Sequence, residues 1–170
     1  MDTREQSGKK DHILREFSLC GIRVVRSKLF CGDWTRLDNQ TVCVDTKTVG
    51  LQEVYGNLIG KQHKRFREEC ERAREYGIRL VVLVEDEKIA QISEVHTWEN
   101  PRIAKYEKLK ADHEAGKHLD WKLPSKPPCT SEILQKTMQT MSNRYGVEWE
   151  FCKRRDTARR ILQILGVWTL

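Results

Sequence analysis

The run Arg79-Leu80-Val81-Val82-Leu83-Val84-Glu85 is the most apolar stretch of the chain. A strand wetted on one face alternates apolar and polar residues, and this one does not. It reads as a central strand buried on both faces, as parallel strands between layers of helices are. Helical patterns flank it. Leu51, Val54, Tyr55, Leu58 and Ile59 form one stripe, and Phe66, Cys70 and Ala73 continue it to Gly77. Gly60 interrupts, so one kinked helix or two helices are expected there. Ile133, Leu134, Thr137, Met138 and Met141 predict a helix closed by Gly146, followed by an alternating strand at Val147, Trp149 and Phe151. Asp156 or Thr157 is placed to cap a last helix carrying Ala158, Ile161, Leu162 and Leu165.

Before the central strand, Ile13, Leu14 and Phe17 mark a short helix ended by Cys20-Gly21. Ile22 to Arg26 has the β-branched content of a strand, and Thr41–Lys47 reads as another. The order is helix, strand, strand, helix, strand, helix, strand, helix. It predicts an α/β fold with a central mixed β-sheet flanked by helices, antiparallel early and parallel later. At 170 residues one domain is the natural count. Residues 96–130 differ in composition. Trp98, Pro101, Trp121, Pro124, Pro127 and Pro128 bracket the charged segment Arg102–Lys117, which reads as an inserted surface helix.

Chemistry gathers around Gly32-Asp33 and the strand Val42–Lys47. Asp45 and Lys47 are two residues apart, so their side chains leave the same face. The turn Leu37–Gln40, with Asp38 and Asn39, returns Asp33 toward that face. Two carboxylates brought together repel unless a cation lies between them. Lys47 beside them completes the groups needed for metal-assisted phosphodiester hydrolysis. As alternatives, an Asp after Gly is a common turn residue, and Asp-Thr-Lys is an ordinary strand end.

The net charge of +6 fits a polyanionic partner without proving one. Lys61-Gln62-His63-Lys64-Arg65-Phe66-Arg67 is the best run for phosphate contact, although Glu68, Glu69 and Glu71 make a solvated helix face the rival reading. Lys153-Arg154-Arg155 with Arg159-Arg160 is a second basic patch with the same two readings. Trp98 and Trp121 read first as anchors of the inserted segment and second as stacking platforms for bases. The six cysteines contain no CxxC pair and read as reduced apolar residues. His113, His118 and Cys129 match no usual zinc spacing. No run approaches the roughly 20 apolar residues that span a bilayer, and the opening MDTREQSGKKD lacks the apolar segment of a signal peptide. A cytoplasmic location is the expectation.

These motifs, in this order, resemble the XPF-type structure-specific nuclease domain, a branch of the PD-(D/E)xK restriction-endonuclease-like superfamily. Asp2-Thr3-Arg4-Glu5 stands where that family opens with Asp-x-Arg-Glu. Gly32-Asp33 meets its Gly-Asp, Asp45-Thr46-Lys47 its acidic-x-Lys strand, Arg65-Phe66 its helical Arg-Phe, and Leu80–Glu85 its apolar strand ending in Glu. The chain departs from the pattern in carrying Asp45 where Glu is usual, and Leu51, with Glu53 nearby, where an Asp is usual.

The resemblance implies a restriction-endonuclease-like fold. It also implies a divalent-metal-dependent endodeoxyribonuclease acting on branched or flapped DNA in repair or recombination. It assigns Mg²⁺ or Mn²⁺ to Asp33 and Asp45, with Asp2 as a further ligand, and catalytic roles to Asp33, Asp45, Lys47 and Glu5. Arg4, Lys61, Lys64, Arg65 and Arg67 become DNA contacts, and Glu85 either supports the site or is a solvated strand end. Partners are DNA and a second copy or partner subunit, with no membrane. The rival classes are a catalytically silent DNA-binding or scaffold subunit, and a restriction-like or RNA nuclease on the same fold.

Overall fold

The computed structural model describes residues 1–3, 8–117 and 122–167. A four-stranded sheet forms the centre, in the order β1-β2-β3-β4. The strands are β1 (Trp34–Thr35), β2 (Val42–Lys47), β3 (Arg79–Glu85) and β4 (Glu148–Cys152). β1 and β2 pair antiparallel, and β2–β3 and β3–β4 pair parallel. The parallel pairs need long crossovers, supplied by α2 (Leu51–Leu58) and α3 (His63–Glu75), then by α4 (Pro101–Glu114) and α5 (Ser131–Tyr145). α1 (Asp11–Leu19) precedes the sheet and α6 (Thr157–Ile164) follows it. The mixed sheet between helices is the architecture expected from the sequence.

β3 lies between two cores, which accounts for its unbroken apolar sequence. Leu80, Val82 and Val84 face Leu51, Val54, Leu58, Phe66, Cys70, Leu134 and Met138 from α2, α3 and α5. Val81 and Leu83 face Ile13, Phe17, Trp34, Ile161 and Leu162 from α1, β1 and α6. Each such side chain contributes about 1.5–3 kcal/mol when fully buried. Register transfers the same division to β2. Asp45 lies opposite Val82 and Lys47 opposite Val84, on the α2/α3 face, whereas Thr46 lies opposite Leu83.

Gly60 separates two helices rather than kinking one. The run Ile22–Arg26 forms no strand. Among the described residues, this segment and the following Ser27 run beside the short lead Met1–Thr3, through Met1 N–Val25 O, Ser27 N–Met1 O, Thr3 N–Ser27 O and an isolated Asp2–Ser27 bridge. Ile22 and Val24 pack on the α1/α6 core, so the β-branched pattern reflects packing rather than a ladder. The early antiparallel pair is instead the tight β1–β2 return. Asp156 occupies the N-cap position of α6 but makes no capping bond, because its carboxylate binds Arg159 at 2.7 Å. α4 buries none of its residues, and Asn100 caps it by accepting from Arg102 N at 3.1 Å. Asn100 also donates to Cys129 O, and Ser131 Oγ donates to Trp98 O, closing the base of this segment. No described helix is long and apolar enough to cross a membrane.

Candidate metal and phosphodiester-cleavage site

The antiparallel return from β1 to β2 builds the site. Gly32 has φ +66°, and a Cβ there would lie 3.0 Å from Val44 O and 3.1 Å from Cys43 Cβ, so only glycine allows so close an approach. The next residue, Asp33, donates its N–H to Val44 O at 2.8 Å. Its Oδ2 accepts from Thr46 N at 2.7 Å and Thr46 Oγ1 at 2.8 Å. Asp33 is thereby fixed one residue from Asp45, and both are buried.

On the opposite face of β2, Lys47 Nζ lies 2.9 Å from Asp45 Oδ1 and 2.7 Å from Oδ2. The Phe66 ring from α3 sits 5.4 Å from the same ammonium. Burial pushes the Asp45 carboxyl up to about 8. Lys47 opposes this rise, and the negative charges of Asp33 and Glu69 add to it. Burial works against the Lys47 charge too, but Asp45, Asp33 and Glu53 outweigh it and raise that pKa. As pH rises, the pair releases its first proton from Asp45 and holds the second on Lys47.

Of the expected site residues, Asp45 pairs with Lys47 on one face of β2, while the Asp33 carboxylate is held against Thr46 and Lys10, near enough for its charge to raise the Asp45 pKa. Asp2 is buried and its N–H binds Asp33 O at 2.9 Å, so it adjoins the site through its backbone. Arg4 and Glu5 lie outside the described residues, as do His118 and Trp121. Lys61, Lys64, Arg65 and Arg67 are exposed just before and along the first turns of α3. Lys64 and Arg67 pair with Glu68 and Glu71 at 3.9 and 3.5 Å, whereas Lys61 and Arg65 have no carboxylate partner among the described residues. Glu85 is buried rather than solvated. Its Oε1 accepts from Thr157 Oγ1 at 2.9 Å and lies 2.6 Å from His12 Nε2, and Arg154 binds Oε2 at 3.2 Å.

Two participants carried no local signal in the sequence. Glu69, one turn beyond Arg65, accepts from Gly32 N at 2.8 Å and so holds the turn that presents Asp33. Lys10, at the start of α1, is buried with Nζ 2.5 Å from Asp33 Oδ2. A lysine in a polar lead-in reads as solvated unless its distant partner is known.

The donor set suits a hard divalent cation. Asp45 Oδ2 is fully buried and, although close to Lys47 Nζ, receives no well-aligned hydrogen bond. Mg²⁺ binds through one or two carboxylates and keeps several waters. The Asp33–Asp45 pair meets that demand, although no group of three or more His, Cys, Asp or Glu side chains gathers as a metal site among the described residues.

A mixed sheet between helices is the restriction-endonuclease-like fold expected from the sequence. The ERCC4 domain family matches residues 1–163, and the chain belongs to that family of structure-specific nucleases. Its fold is similar to that of XPF from Aeropyrum pernix, with TM-score 0.57 and 15% identity over 99% of this chain and 64% of that one. No curated protein matched the sequence.

Proposed function

We propose that this chain is a divalent-metal-dependent endodeoxyribonuclease that hydrolyses phosphodiester bonds in branched or flapped DNA. The observation that carries this reading is the buried Asp33–Asp45–Lys47 constellation, with one Asp45 oxygen lacking an aligned hydrogen bond. Asp33 and Asp45 would hold Mg²⁺ or Mn²⁺. The ion would supply Lewis-acid polarisation of the scissile phosphate and a more acidic water. Lys47, held in its charged form by Asp45 and Asp33, offsets negative charge that builds on the phosphate. Glu69 and Thr46 keep Asp33 in place while that charge develops.

Exposed Lys61, just before α3, and Arg65, on it, support a polyanionic substrate, through contacts that carry affinity but no sequence information. DNA as substrate implies work inside the cell, in repair or recombination. Self-association or a partner subunit belongs to this reading as an expectation of the XPF-type resemblance. The whole chain acts as one nuclease domain, with the segment around 96–130 as a surface insertion.

The test uses labelled flap, fork, four-way junction, single-stranded and duplex DNA with Mg²⁺, Mn²⁺ or EDTA. Wild type is compared with Asp45→Asn and Lys47→Ala. The reading expects metal-dependent cutting of a branched substrate, lost in both variants. Binding of branched DNA without cutting would instead identify a silent subunit. Preferential cutting of RNA, or of one duplex sequence, would identify another nuclease on this fold.

A further inference from the structure

Two buried carboxylates, Asp33 and Asp45, stand beside two buried ammonium groups, Lys10 and Lys47. Lys47 shares a strand and a face with Asp45. Lys10 comes from a different part of the chain, just before α1. Among the described residues, Asp33 Oδ2 accepts two hydrogen bonds from Thr46 and has the Lys10 ammonium 2.5 Å away as an ion pair. The two from Thr46 are fixed by β2, while the Lys10 ammonium sits at the end of a flexible four-carbon stem.

The root of that stem is anchored. Leu14 N donates to Lys10 O at 3.0 Å, and two residues on, His12 grips Glu85 at 2.6 Å. The Trp34 ring centroid lies 5.8 Å from the same Lys10 Nζ that contacts Asp33, so the ring forms one wall around the ammonium.

We propose that Lys10 is the resident counter-ion of Asp33, a positioning residue that a divalent metal must displace and that thereby lowers the site's metal affinity. The inference rests on the reading of Asp33 and Asp45 as metal ligands. Without metal, Lys10 screens Asp33 from Asp45 and Glu69 and keeps the return compact. A cation of charge two arriving between the acids does that screening itself and repels the ammonium. The ammonium then gives up its contact with Asp33 Oδ2.

Two experiments test this. Calorimetric Mn²⁺ titration at pH 8 compares wild type, Lys10→Met and Lys10→Arg. Lys10→Met is expected to bind about tenfold tighter or better, because a competing charge is gone, and Lys10→Arg to stay near wild type. Equal or weaker binding by Lys10→Met overturns the inference. Absence of any Mn²⁺ signal in wild type overturns the metal reading itself.

The second experiment needs no variant. Wild type is acetylated in EDTA or saturating Mn²⁺ and the labelling of each lysine is read by mass spectrometry. Lys10 is expected to label several-fold faster with Mn²⁺, while exposed Lys61 does not change. Unchanged Lys10 labelling in metal-loaded protein overturns the inference even if Lys10→Met fails to fold.

Discussion

Two strand ends, three residues apart in the sheet register, both bury a carboxylate, and they treat it in opposite ways. Glu85, at the end of β3, is surrounded by His12, Thr157 and Arg154, so both of its oxygens are engaged by groups from α1 and the α6 end. Asp45, near the end of β2, has Lys47 as its ion-pair partner, faces the like charges of Asp33 and Glu69, and keeps an oxygen without an aligned hydrogen bond. A satisfied buried acid knits elements together. An under-satisfied acid, pushed up to about 8 by burial and its neighbours, is held at a cost that a functional cation relieves. The first turn of α1 touches both places, through Lys10 and His12.

That contrast breaks most sharply under substitution. Asp45→Asn should reduce metal-dependent cleavage by about a thousandfold or more, measured as single-turnover rates on the preferred substrate, with little loss of thermal stability. Glu85→Gln should do the reverse. Replacing the charged acceptor of His12 and Arg154 should destabilise the fold by roughly 2–4 kcal/mol in denaturant titration, while Mn²⁺ binding persists.

The pH dependence sharpens the difference further. A metal must displace the proton on Asp45, so Mn²⁺ affinity should rise about tenfold per pH unit up to about pH 8 and then level off, read by calorimetry. The folded, metal-free protein keeps this proton where the unfolded chain has released it. Asp45 therefore lowers stability as pH climbs from the ordinary carboxylate range toward 8, and Asp45→Asn should remove that trend. The smallest effect belongs to the surface. Lys61→Ala or Arg65→Ala should each weaken DNA binding a few-fold and reduce the salt slope by about 1, with cleavage per bound complex unchanged.

Most of the frame was legible because its signals are local. The unbroken Leu80–Val84 run reported burial between two layers, and Gly146, with φ +72°, closed α5 where the pattern stopped. Asp33, Asp45 and Lys47 were legible from a two-residue spacing and a turn. What escaped depends on distant partners. Ile22–Arg26 has strand composition, but among the described residues it forms no strand and lies beside the short lead Met1–Thr3. The two-residue β1 is too short for any pattern. Glu69 and Lys10 reach Gly32 and Asp33 from helices 37 and 23 positions away, a separation that no periodicity encodes. Glu85 was visible as a charge ending a strand, and only the fold reveals that α1 and α6 close over it.

The most direct test is a calorimetric Mn²⁺ titration of wild type beside Asp45→Asn and Glu85→Gln, with folding of each verified by circular dichroism. The account predicts binding by wild type and Glu85→Gln and its loss in Asp45→Asn. Wild-type affinity in Asp45→Asn, or loss of binding in a folded Glu85→Gln, would contradict it.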